Sequence, residues 1–488
     1  MLHGNIFQIA RARYTIFLLA TLIAAATGCG GSRPACRSGD QIGATGAGVA
    51  HTYYVSPSGS NANPGTREAP WATPGYASRR LSPGDTLVIM GGRYALREYD
   101  ADIITPPPGT PEAWITIKGE EGNRPVLAGS DDLLAAVDIS GAAYLRLENL
   151  EIESDGGALF RTGITGAAGP VKHVIVENLY IHHLDEMGMD LADVEDLQVL
   201  DCTITHCGFG AMGGPGGGPG WRDVLVRGCE LSHAGHYYRG GPGPGPYDRP
   251  DGFGIEPSEG PVEIAYTRAE HNLGDGLDSK ALNTYIHHCV VANNACDGIK
   301  LWGDGSRVTD TLVYGTGDGV GGPSPWSGLV MEVEDGGTAR FEVINVTIHD
   351  NPEREAYPLY AQYEGSAPVH LVLRNTIVAG GHGPAYFGDA VRLLADHNLF
   401  FRPGEGIQVH ANGRDYTPAE LRAGELGLGN LCGDPLFAAP AWGAAGDYRL
   451  REGSPALDAG SSLEAPLDDL DGNPRPRGGA WDIGAYER

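Results

Sequence analysis

Four short segments carry charged residues at a spacing that could do chemistry: Asp251-Gly-Phe-Gly-Ile-Glu256, Asp275-Gly-Leu-Asp-Ser-Lys280, Asp297-Gly-Ile-Lys-Leu-Trp302 and Ser327-Gly-Leu-Val-Met-Glu332. Each reads as a turn followed by an alternating strand. Side chains alternate faces along a strand, so Phe253, Leu277, Ile299 and Leu329 share one face, and Glu256, Asp278, Lys280, Lys300 and Glu332 are set against it. Stacked as successive coils about 4.7–4.9 Å apart, the segments place Asp278 beside Lys300. They also gather Asp251, Asp275 and Asp297 into a column at the strand mouths. Carboxylates that close repel unless a cation compensates, and calcium takes several oxygen ligands. A single Asp-Gly marks a tight turn. Three in register, with Asp278 on the strand face, favour a calcium site at Asp251, Asp275, Asp278 and Asp297. A cation held there destabilises the Lys300 ammonium, which suits Lys300 to remove a proton next to a substrate carboxylate. Lys280, one coil earlier and two residues along, is the alternative base and a candidate substrate contact. Trp302 falls on the same outward face, and an aromatic face suits a sugar ring.

The elements that must position these residues form a repeat. Tyr144-Leu-Arg-Leu-Glu-Asn-Leu-Glu-Ile152 returns as Val174–Ile181, Leu197–Ile204, Val224–Leu231, Phe341–Ile348 and Leu371–Val378. Each copy is an alternating strand, a polar corner residue and another short strand, and no long segment has a helical period. Short strands wound into parallel sheets would bury a continuous column of Val, Ile and Leu. Asn149, Asn178, Asn345 and Asn375 would stack at a bend, where asparagine tolerates left-handed geometry. The fold class is therefore all-β, a parallel β-helix solenoid with an N-terminal cap and a C-terminal capping segment. Gly/Pro-rich stretches at Gly208–Gly220 and Gly240–Pro250 read as loops projecting near the site.

The expected organisation is a signal peptide over 1–28, a tether over 29–50, an N-terminal cap with the first coils over 51–141, the β-helix carrying the site over 142–430, and a capping segment over 431–488. Arg11 and Arg13 precede an apolar run, and Ala26-Thr-Gly-Cys29 resembles a lipobox, so Cys29 is the expected lipidation site. The protein is expected to be exported, as an outer-membrane or cell-surface lipoprotein held to the membrane through Cys29 or as a secreted protein, and monomeric. A formal charge of −28 over 488 residues makes nucleic acid an improbable partner. Of the eight cysteines, Cys202 and Cys229 occupy matching places in the repeat and read equally as a disulfide between coils or as stacked buried thiols.

Tyr53-Tyr-Val-Ser-Pro-Ser-Gly-Ser60 with Asn63-Pro-Gly-Thr66 resembles the opening of exported polysaccharide lyases of the family 9 pectate lyase type. Asp251-Gly-Phe253, Gly274-Asp-Gly-Leu-Asp278 and Asp297-Gly-Ile-Lys-Leu301 resemble that family's calcium-and-base constellation. The resemblance implies a right-handed β-helix, calcium at Asp251, Asp275 and Asp278, and Lys300 as the Brønsted base. It implies β-elimination on an acidic, uronate-containing polysaccharide of pectate type. Gly274 stands where the family carries the first aspartate of a doublet, and Asp297 where it carries asparagine. The last 55 or so residues resemble a closing module of secreted bacterial β-helix proteins. The alternative function is a non-catalytic, surface-anchored β-helix that binds carbohydrate or acts in adhesion.

Overall fold

The computed structural model describes residues 49–214, 219–240, 250–317, 326–334, 336–351, 356–362, 365–404 and 406–488. The expected signal peptide, Cys29, nearly all of the tether and most of the Gly240–Pro250 stretch lie outside them. The described chain winds into three sheets, two of thirteen strands and one of twelve. The first runs from Thr52–Val55 to Val391–Asp396, the second from Arg93–Leu96 to Leu431–Cys432, and the third from Leu133–Asp138 to Arg414–Tyr416. Successive passes add one strand to each sheet in parallel, which defines a parallel β-helix. The third sheet closes on an antiparallel pair, Val409–Ala411 with Arg414–Tyr416.

The repeat in the sequence is the register of the first sheet. Val174 pairs with Leu145 on one side and Leu197 on the other, and Leu197 pairs with Val224. All four side chains are buried, so the inward positions form one apolar column through the coil. The corner asparagines behave as expected. Asn149, Asn178, Asn345 and Asn375 all have φ between 48° and 55°. Asn375 Nδ2 donates to Asn345 Oδ1 at 3.1 Å, and Asn178 Nδ2 to Asn149 Oδ1 at 3.4 Å. A second bend is built from histidine. His183, His206, His233 and His271 are left-handed, and their rings stack at centroid distances of 5.1, 4.6 and 5.3 Å.

Two expectations change and one open alternative closes. The stretch read as a loop from Gly208 contains a strand, Gly210–Gly214, paired with Met187–Leu191 and with Asp251–Ser258. Its glycines reflect crowding: a Cβ at Gly214 would sit 1.8 Å from the Leu191 carbonyl oxygen. None of the six described cysteines forms a disulfide; Cys202 and Cys229 are buried. The C-terminal segment runs along the flank of the later coils. Tyr448 packs on Tyr314 at 4.6 Å, Ala485 N donates to Thr347 Oγ1 at 2.9 Å, and Arg475 pairs with Asp310 at 3.2 Å.

Candidate active site on the third sheet

The four segments stack as neighbouring strands of the third sheet. Phe253, Leu277, Ile299 and Leu329 align inward and are all buried. Gly254, Asp278, Lys300 and Val330 align on the opposite face, so Asp278 and Lys300 are direct cross-strand partners. The same column continues to Asp190 through Gly213 on one side and to Tyr360 and Tyr386 on the other.

At the strand mouths the aspartates form a hydrogen-bonded ladder. Asp251 Oδ1 accepts from the Asp275 backbone N–H at 2.7 Å, Asp275 Oδ1 from Asp297 N–H at 2.8 Å, and Asp297 Oδ1 from Ser327 N–H at 2.8 Å. Each carboxylate therefore satisfies the next turn with one oxygen, which leaves the other oxygen of Asp251 and of Asp275 for the site. Ligand atoms of Asp251, Asp275 and Asp278 lie within 4.8 Å of one another. Asp297 lies one coil further on and outside that group. A Cβ at Gly254 would come 2.8 Å from Asp251 Oδ2, so glycine there leaves the Asp251 carboxylate its place. Gly274 contributes backbone alone: its N–H donates to Pro250 O at 2.8 Å and its carbonyl accepts from Cys296 N–H at 3.1 Å.

Both lysines converge on Asp278. Lys300 Nζ is 3.2 Å from Asp278 Oδ2 and 3.3 Å from Asp275 Oδ2. Lys280 Nζ is 3.1 Å from Asp278 Oδ2 and 3.1 Å from Glu256 Oε1. Trp302 lies beside both, with each ammonium 5.7 Å from its ring centroid. Its indole nitrogen is buried and has no hydrogen-bond partner among the described residues.

Burial raises the carboxyl pKa of Asp251, Asp275 and Asp297; repulsion from neighbouring aspartates, Asp278 among them, adds to the rise and Lys300 opposes it. Burial alone would lower the Lys300 pKa, but Asp275, Asp278, Asp297 and Asp251 outweigh it and hold the ammonium above its ordinary value. The same balance, with Asp278 and Glu256 as partners, raises Lys280. The cluster is thus an excess of buried negative charge only partly met by two lysines. Asp278 Oδ1 is buried and accepts no hydrogen bond from the described residues. An all-oxygen donor set of converging carboxylates with one acceptor unspent fits a hard divalent cation of the calcium type.

Sequence reasoning missed the groove beside this cluster. It has a volume of about 440 Å³ and reaches Glu186, Met187, Asp190 and Phe209 as well as Asp278 and Lys280. The available signal was Met187-Gly-Met-Asp190, whose Asp190 falls in the Asp278 column once Gly210–Gly214 is recognised as a strand. Elsewhere, on the second sheet, His182 Nε2 stands 3.5 Å from Glu151 Oε1 and 3.7 Å from Glu153 Oε2.

Fold and site together define a parallel β-helix with a metal-competent acidic cluster and two lysines on one sheet. Residues 53–216 match the family described as Pel9A-like, right handed beta helix region, and residues 135–314 match Right handed beta helix region. The chain is a right-handed parallel β-helix protein, similar to the Pel9A-like family over residues 53–216. Among solved structures it is similar to the XylC complex with xylose, at 12% identity and a TM-score of 0.57 over 90% of this chain and 99% of that one. It is also similar to pectate lyase Pel9A, at 15% identity and a TM-score of 0.49 over 91% and 98%. A third is the A-module of the Azotobacter vinelandii mannuronan C-5 epimerase AlgE6, at 14% identity and a TM-score of 0.48 over 74% and 93%. At these identities the common property is the fold. No curated protein matches the chain.

Proposed function

We propose that the protein is an exported, calcium-dependent polysaccharide lyase that cleaves a uronate-containing polysaccharide by β-elimination. The observation that carries this reading is the convergence of Asp251, Asp275 and Asp278 next to a lysine, Lys300, that is cross-strand partner to one of them. Asp251, Asp275 and Asp278 would hold the cation, with Asp297 behind them on the next coil. When bound, calcium supplies positive charge that offsets a uronate carboxylate and acidifies the proton α to it. Lys300 Nζ takes that proton. The electron pair left on carbon forms a double bond as the β carbon–oxygen bond breaks, and the departing oxygen is protonated from solvent. Lys280, anchored on Asp278 and Glu256, orients the acidic sugar, and Trp302 offers a flat face beside both ammonium groups. Lipidation at Cys29 would tether the enzyme at the membrane.

A second reading, a non-catalytic carbohydrate-binding protein, is favoured by Gly274, which adds no carboxylate, and by the two ion pairs that keep Lys300 protonated. One experiment separates the two. Purified protein is incubated with a panel of uronate polymers, and absorbance of unsaturated sugar ends is followed with calcium and with a chelator. A lyase gives calcium-dependent absorbance that Lys300→Ala lowers by about 10³-fold or more, on the scale of losing a general base, with the thermal midpoint preserved. Full activity in Lys300→Ala would remove Lys300 from the role. Retention of polymer without any release would establish the binding reading.

A further inference from the structure

The groove beside the cluster bears on which acidic polymer fits, an inference that rests on the lyase reading. Its lining carries five carboxylates, Glu186, Asp190, Asp251, Glu256 and Asp278, against a single cation, Lys280. Lys280 is already shared between Glu256 and Asp278. The nearby Arg161 brings no spare charge, because it is divided between Glu186 at 2.5 Å and Asp132 at 2.7 Å. Asp190 has no cationic partner among the described residues. Even a divalent ion held by Asp251, Asp275 and Asp278 would leave the groove net negative.

The groove is also long enough for this to matter. Asp190 and Asp278 are three rungs apart through Gly213 and Gly254. At 4.7–4.9 Å per rung that is about 14 Å, which is more than one sugar ring. On the far side of Lys300 the column continues as Val330, Tyr360 and Tyr386, which add no positive charge. A polymer with a carboxylate on every sugar would lay its neighbouring carboxylates against Glu186 and Asp190. A neutral sugar would instead place C–H faces on Met187 and Phe209 and donate its hydroxyls to those same carboxylates.

We infer that the substrate is an alternating polysaccharide, in which a single uronate meets the cation and Lys300 while neutral sugars occupy the acidic groove. Homopolymeric polyuronate is then a poor substrate. The test compares initial rates of unsaturated-end formation by the full chain with calcium, on polygalacturonate and on a polymer alternating galacturonate with a neutral sugar, at equal uronate concentration. The alternating polymer is expected to react at least about tenfold faster, since like charges at contact distance easily cost that factor. Glu186→Gln combined with Asp190→Asn should narrow the ratio by raising the homopolymer rate, with the thermal midpoint checked in parallel. A homopolymer rate equal to or above the alternating one, or a ratio unmoved by the double variant, overturns this inference and leaves the lyase reading standing. No unsaturated ends from either polymer removes both.

Discussion

Lys300 is the residue on which the chemistry turns, and its surroundings set a condition on it. Four aspartates hold its ammonium above the ordinary lysine value against the opposing effect of burial. Without a divalent cation the amine is therefore protonated across the neutral range and cannot accept a proton. A cation on Asp251, Asp275 and Asp278 removes much of that stabilisation, so the apparent pKa of the base should fall as the site fills. The expected outcome is no turnover in chelator across the neutral range, and a kcat/KM profile whose rising limb moves to lower pH as calcium is increased. A limb that stays put over a wide calcium range would rule out this coupling. Asp350 offers a separate pH signature. It ends the second-sheet strand Thr347–Asp350, is fully buried, and burial pushes its carboxyl up to about 7. A carboxyl whose folded pKa lies above its unfolded one contributes stability that is present below about pH 4 and lost as pH rises to about 7. Unfolding free energy from denaturant titration should fall over that window by up to a few kcal/mol. Asp350→Asn should flatten that part of the curve.

At the scale of the element, the stacked strands were legible in the sequence and the groove was not. Phe253, Leu277, Ile299 and Leu329 recur with period two behind matching turns, so the residue pattern alone specifies their register and with it the Asp278–Lys300 contact. The aspartate column was legible too, but its use of one oxygen per residue to satisfy the next backbone N–H was not. That capping depends on rotamer and on the height of each rung. Gly210–Gly214 looked like a loop because strand propensity resides in side chains and this strand has few. Its glycines are there for close backbone contact, and without it the column could not be followed to Asp190. The bend formed by His183, His206, His233 and His271 was hidden for a related reason: asparagine is the expected left-handed residue, whereas stacked imidazoles stabilise the same turn here. Gly254 makes this scale testable. Adding one methyl group at Gly254→Ala places carbon 2.8 Å from Asp251 Oδ2 and must displace that carboxylate. Calcium affinity by calorimetry should drop at least about tenfold, while the circular dichroism spectrum stays that of a β-helix. Unchanged affinity would mean that Asp251 is not a ligand.

At the scale of the whole molecule, a stack of coils whose contacts are almost all with nearest neighbours gains long-range connection from the C-terminal segment. Arg475 is the centre of that docking. Its guanidinium is buried and donates to Glu487 at 2.9 Å, to Asp310 at 3.2 Å and to the Gly484 carbonyl at 3.0 Å. Asp310 belongs to the corner after Ser306–Thr309 in the coil that follows Lys300, so the same ion pair ties the segment to rungs next to the site. Replacing both partners of a buried pair with apolar groups can be nearly neutral, but removing one strands the other. Arg475→Met should therefore leave Asp310 and Glu487 buried without their cation and cost about 3–5 kcal/mol. Burial already pushes the Asp310 carboxyl up to about 7 with Arg475 present. Without the guanidinium the group takes up a proton at still higher pH, so the variant should be least impaired in mild acid. The thermal midpoint of Arg475→Met measured from pH 5 to 8 should lie below that of the unaltered protein throughout, with the gap widening as pH rises. If the segment docks as one unit around Arg475, protease cleavage within 451–488 should accelerate in the variant before the coils themselves unfold. A variant that loses neither thermal stability nor protection would show that the segment is held by the apolar contacts of Tyr448, Phe437 and Ile483 alone.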